Sequence, residues 1–140
     1  MAWGDAGNRI GVRVKMMKVL IVESNAELSK VWKQHLERQN MDVTCVKTQT
    51  QASDFLNDNT VQIIILDIVL RDGSAFAVSD YASYRRPDAD VIFVTDSSFF
   101  SDGSIFALAR NARAFVPAAT PPEDLAAMID HNGSAARSGL

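Results

Sequence analysis

Cysteine is nearly absent: Cys45 is the only one in the 140-residue chain. That excludes an intrachain disulfide and a cysteine-based zinc site, and the apolar run around Cys45 reads as a buried, inert thiol in a reducing compartment. No apolar run approaches the roughly 20 residues that cross a bilayer, and the opening MAWGDAGNRIGVRVK lacks the apolar stretch of a secretory signal. The sequence therefore predicts a soluble, cytoplasmic protein with no membrane partner. The fourteen basic residues form no long cluster and the net charge is only −3, so nucleic acid is not expected as a partner either. No lysine follows Lys47, and there is no internal repeat or low-complexity tract.

What is present is a chain of 47% hydrophobic content, enough for one ordinary domain with a core and too short for two. Residues 1–16 have no clear period and end at the adjacent Met16 and Met17, either of which fits a true start; they are read as an extension. From residue 17 to 131, short β-rich runs alternate with helically spaced stretches, the pattern of βα units and a parallel sheet. KVLIV (18–22) reads as the first strand. Asn25 fits an N-cap, Leu28, Val31, Trp32 and Leu36 recur at helical spacing, and Asn40 suits the left-handed conformation that ends a helix. MDVTCV (41–46) is the second strand, and a helix over 49–58 places Ala52, Phe55 and Leu56 inward. VQIIILDIV (61–69) has the unbroken apolarity of a strand buried on both faces.

The Asp72-Gly73 turn leads to a helix through Ala75, Val78 and Tyr81 that must stop before Pro87. DVIFVT (90–95) is the fourth strand, the span 99–110 a fourth helix weakened by Gly103, and RAFVP (113–117) a short fifth strand. PPEDLAAMIDH (121–131) has the prolines and acids of a helix N-terminus, with 132–140 as a polar tail. The sum is a doubly wound α/β domain.

In such a domain ligands sit beyond the carboxyl ends of the strands, where this chain carries Glu23, Asp67, Thr95 and then Asp96. Strand-end acids usually cap loops and helix N-termini. Two on neighbouring strands, with a hydroxyl on a third, also suit a hard cation and a phosphoryl oxygen.

With VLIVESN, IIILDIVLRDGSAF, VIFVTD and NARAFVPAATPPEDL in that order and spacing, the chain from about Lys18 to His131 resembles the receiver domain of bacterial two-component response regulators. The resemblance implies a flavodoxin-like five-stranded parallel sheet of order 2-1-3-4-5 with about five helices. It implies Asp67 as phosphoacceptor, Thr95 as switch hydroxyl, Phe115 at the aromatic switch position, and Glu23 and Asp67 as ligands of Mg²⁺. A core aromatic is the plain alternative for Phe115. The implied partner is a histidine kinase or another signalling protein. The face made by the fourth helix, fifth strand and fifth helix, with Phe100, Phe106, Phe115, Leu125 and Met128, is a candidate surface for a homodimer, although those side chains equally suit the core.

Three departures stand out. Ser24 occupies the place of the second acid of the family's first corner, and a neutral hydroxyl is a poor Mg²⁺ ligand, so binding of the ion is expected to be weak. Ala118-Ala119 stand where the family has lysine and proline, leaving Arg71 and Arg113 as the only nearby cations. Asp96 follows the switch threonine in place of a small residue, either repelling an incoming phosphoryl group or serving as a replacement metal ligand.

The expectation is a stand-alone, atypical receiver that acts mainly through protein–protein interaction, with phosphorylation at Asp67 impaired. The alternative is a conventional single-domain phosphorelay receiver. An enzyme is not expected: there is no Gly-rich phosphate loop after the first strand, no G-x-S-x-G elbow, and neither His35 nor His131 lies at a strand end.

Overall fold

The computed structural model describes residues 16–95, 112–117 and 120–137. Five strands, β1 (Lys18–Val22), β2 (Asp42–Val46), β3 (Ile63–Asp67), β4 (Asp90–Thr95) and β5 (Ala112–Pro117), pair in parallel in the order β2-β1-β3-β4-β5. The helices among the described residues are α1 (Ala26–Arg38), α2 (Gln49–Asp58), α3 (Ala75–Arg85) and α4 (Pro122–Arg137). The helix expected over 99–110 lies outside the described residues, as do residues 1–15, Asp96, Ala118-Ala119 and the end of the tail, so α4 is the fifth expected helix. The expected flavodoxin-like α/β parallel sheet is what forms.

Strand alternation sorts the core into two layers. Leu20, Val22, Ile64, Leu66, Val91 and Phe93 pack on one face with Ala52, Leu56, Val78 and Ala82 of α2 and α3. Val19, Ile21, Ile63, Ile65, Ile92 and Val94 pack on the other with Trp32 and Leu36 of α1 and Leu125 and Ile129 of α4. The central strands are thus covered on both faces, which is why their sequences are continuously apolar. Trp32 is among the largest fully buried side chains; truncating it to alanine should cost about 3–5 kcal/mol.

Local signals act as their chemistry requires. The Asn25 side chain accepts hydrogen bonds from the Glu27 and Leu28 amides at the start of α1, and Asn40 takes a left-handed conformation (φ 65°) just past its end. Thr48 and Ser74 cap α2 and α3 in the same way. Arg86 Nε donates to the Leu56 carbonyl, and Arg85 and Arg86 both donate to that of Asn57, supplying partners for the end of α2.

Four expectations need correcting. Val31 is 48% exposed, its expected inward place taken by Ser29, because residues 29, 32 and 36 share the face that meets the sheet. Cys45, on edge strand β2, is half-buried. Leu125 is a core residue and so drops out of the candidate docking surface, while Met128 is half-buried against the same core. Helix α4 runs on to Arg137. Gly133 costs a helix only about 1 kcal/mol, and the Ala135-Ala136-Arg137 sequence favours continuation.

Candidate functional site

The order of the sheet puts its switch point between β1 and β3, where successive connections leave in opposite directions and a crevice opens at the carboxyl ends. Val22 pairs with Leu66, and the Asp67 position pairs with Val94. Glu23, Asp67 and Thr95 therefore follow one another along a single sheet edge, on three adjacent strands. The backbone holds them there: the Glu23 amide donates to the Val46 carbonyl (3.0 Å) and the Ile68 amide to the Val94 carbonyl (2.9 Å), carrying the ladders one residue past β1 and β3.

Glu23 is only 2% exposed. Its Oε2 accepts from the Asn25 amide at 3.0 Å, whereas Oε1 is buried with no hydrogen-bond partner. Burial pushes this carboxyl from the usual 4.5 to about 7. The neighbouring Asp67 carboxyl acts in the same direction, its charge repelling a second one. The amides of Asn25 and Ser24 act against it. Asp67 is half-buried, and its Oδ1 accepts from the Val69 amide at 2.9 Å. Thr95 is 8% exposed and pairs with Pro117 in the β4–β5 register. Phe115 pairs with Phe93 along β5; its side chain and Asp96 lie outside the described residues.

Ser24 is held in a way its sequence position did not announce. Its Oγ donates to the Lys47 carbonyl (3.2 Å) and accepts from the Arg71 amide (3.0 Å). Gln49 continues the link, its amide donating to the Asp72 carbonyl (3.1 Å) and its Oε1 accepting from the Ser74 amide (2.8 Å). Gln49 gave no signal in the sequence, since a glutamine opening a helix is commonplace. Arg71 takes part through its backbone, and its residue is exposed.

A family model for the response regulator receiver domain matches residues 19–130. The chain belongs to that family. Receiver domains are signalling domains of two-component systems, working with histidine kinases and other signalling proteins. This receiver domain is similar in structure to a CheY-like receiver domain protein from Methanospirillum hungatei (22% identity, TM-score 0.81, covering 90% of this chain and 100% of that one). It is also similar to the non-phosphorylated HemR receiver domain from Leptospira biflexa (22%, TM-score 0.72, covering 82% and 92%). A third similar structure is the response regulator TrrA from Thermotoga maritima in complex with Mg²⁺ and BeF (17%, TM-score 0.72, covering 83% and 98%). At these identities the likeness carries the fold alone. No curated protein matches the chain. None of the helices among the described residues is long and apolar enough to cross a membrane.

A hard divalent cation suits what the crevice offers. Two carboxylates neighbour one another, and one has a buried oxygen with no donor to meet it, a cost of about 1–3 kcal/mol that a cation would relieve. Mg²⁺ keeps several waters and takes one or two carboxylates, so Glu23 and Asp67 are the residues that would hold it. Among the described residues no group of three potential ligating side chains comes together.

Proposed function

We propose that the chain is an atypical receiver that acts mainly through protein–protein interaction, with phosphorylation at Asp67 impaired. Asp67 is the acceptor, Thr95 the switch hydroxyl and Phe115 the aromatic switch position in this reading, and Mg²⁺ binds weakly through Glu23 and Asp67. Asp96 is a further candidate ligand. The observation that carries the proposal is the engagement of Ser24 with Lys47 and Arg71, at the place where the family has a second acid. Losing a ligating carboxylate costs at least the roughly 10–100-fold in affinity that follows from losing a residue behind a ligand. The cation would neutralise charge on an incoming phosphoryl group. A lysine would do the same from the end of β5, where the sequence has Ala118-Ala119. Removing one such aimed donor costs on the order of 10²–10³ in rate, and because both act on one charge the two losses need not add. The domain begins at residue 17 and, with α4 running past the expected limit at 131, extends to Arg137, and a homodimer is a candidate assembly.

The second reading, a conventional phosphorelay receiver, is favoured by one feature: the buried, unpartnered Oε1 of Glu23 beside Asp67 is suited to a cation. TrrA, of the same fold, is seen with Mg²⁺ and BeF. Acetyl phosphate with Mg²⁺ separates the two. Labelling of the unmodified chain that is slow or undetectable supports the atypical reading. Rapid labelling, abolished by Asp67→Asn, replaces it with the conventional one.

A further inference from the structure

The loop that follows Asp67 is tied twice to Gln49, the first residue of α2, and once, through Ser24 of the β1–α1 turn, to Lys47 in the turn between β2 and α2. The Arg71 amide bonds Ser24 Oγ, which bonds the Lys47 carbonyl; the Asp72 carbonyl takes the Gln49 amide; the Ser74 amide bonds Gln49 Oε1. Two further features fit this closure. Gly73 sits at φ 99°, and a Cβ there would collide with the Gln49 side chain, so a glycine lets the loop lie on that residue. Leu70, 8% exposed, anchors the loop in the core. At the start of the same loop the Val69 amide donates to Asp67 Oδ1.

We infer that Ser24 is a positioning residue: its hydroxyl, together with Gln49, straps residues 71–74 of the loop after Asp67 to Lys47 and the start of α2, so that the order of this loop does not depend on a divalent cation. The chemistry is specific to a hydroxyl. At this position a group must give a hydrogen bond to the Lys47 carbonyl and take one from the Arg71 amide, and a hydroxyl does both. A carboxylate only accepts, so an aspartate at 24 would set an anion against the Lys47 carbonyl and lose that half of the strap. Alanine loses both halves, and threonine keeps them. The residue that weakens cation binding thus supplies fixed order in its place. The significance of this order for phosphotransfer rests on Asp67 being the acceptor, but the strap itself does not.

Amide hydrogen exchange on the full chain, in EDTA and in Mg²⁺, tests it. In the unmodified protein the Arg71 and Ser74 amides are protected in EDTA, and Mg²⁺ changes their rates less than about twofold. Ser24→Ala should speed exchange at Arg71 by roughly 5- to 30-fold while Ile65, in β3, is unchanged, and Ser24→Thr should restore protection. Gln49→Ala should speed exchange at Ser74. Ser24→Asp can still accept from the Arg71 amide but sets an anion against the Lys47 carbonyl, so in EDTA its exchange at Arg71 should lie between that of the unmodified protein and Ser24→Ala, and Mg²⁺ should slow it. An unprotected Arg71 amide in the unmodified protein overturns the strap, as does a rate unaltered by Ser24→Ala. Equal acceleration at Ile65 also overturns it as a local device. No arm involves phosphorylation, so acetyl-phosphate labelling decides the proposed function and loop exchange decides the strap, each independently.

Discussion

The corners after β1 and β3 both carry an acid at a strand end, yet the two acids are treated differently. Glu23 is sealed in, with one amide on Oε2 and nothing on Oε1, whereas Asp67 is half-open to solvent with its Oδ1 on the Val69 amide. Burial with too few donors makes Glu23 hold its proton to about 7, so around neutral pH the charge of the crevice turns on the β1 corner. The neighbouring hydroxyl then takes no part in balancing that charge. It is spent on the loop of the other corner. Crevice charge and loop order, which one carboxylate and its metal could serve together, fall here to two residues, Glu23 and Ser24.

Restoring what the sequence lacks should erase the difference with the largest effect. Ser24→Asp combined with Ala118→Lys should raise acetyl-phosphate labelling at Asp67 by about 10²-fold or more, since the lysine alone replaces an aimed donor of that worth. The gain should fall short of the product of the single variants, because both substitutions act on the same charge and the aspartate also opens the strap. Phosphate incorporation measured across the four combinations checks both the size and the shortfall.

The pH dependence of stability isolates Glu23. Its folded value lies above its unfolded one, so below 4.5 the group is protonated in both states and contributes nothing. As pH rises from 4.5 toward 7 the unfolded chain gives up the proton while the folded one keeps it. Stability falls through that window and levels off above it. The fall should amount to about 3 kcal/mol in metal-free buffer. Urea unfolding of the unmodified chain and Glu23→Gln should show that difference appearing between pH 4.5 and 7, and Mg²⁺ should recover part of it above pH 7.

The frame of this comparison is legible in the sequence, and the strap across it is not. Apolar runs such as IIIL announce strands buried on both faces, and the acids and hydroxyl that close β1, β3 and β4 can be located by counting to the strand ends. Asn25 and Asn40 mark the limits of α1 because capping is local chemistry. Ser24, in contrast, meets Lys47 at a separation of 23 residues and Arg71 at 47, so its partners follow from the packing of three loops and from no local pattern. Val31 follows the same logic: its period is right, but only the sheet decides which side of the stripe is inward, and that side is the one carrying Ser29, Trp32 and Leu36. The unpaired Oε1 of Glu23 is likewise a property of burial and not of residue type.

Cation affinity should follow the same proton. Mg²⁺ binding to the pair requires Glu23 to be ionised, so the ion and the proton compete. Affinity measured by calorimetry should be about tenfold weaker at pH 6 than at pH 8, given a carboxyl that titrates at about 7. Glu23→Gln should bind less tightly at both values and lose this dependence.

The smallest effect separates two jobs that meet in one residue. Asn25 caps α1 through its side chain, which takes the Glu27 and Leu28 amides at 3.0 and 3.2 Å, and serves Glu23 through its own backbone amide. Asn25→Ala removes the cap and leaves the amide. Stability should drop by about 1 kcal/mol, the usual worth of such a cap. Mg²⁺ affinity and its pH dependence should stay as in the unmodified chain, because the donor to Oε2 is still present. A change in affinity as large as that produced by Glu23→Gln would mean that the side chain, through the geometry of the β1–α1 turn, holds the Glu23 carboxylate in place. The β1 corner would then be as dependent on a strap as the loop after Asp67.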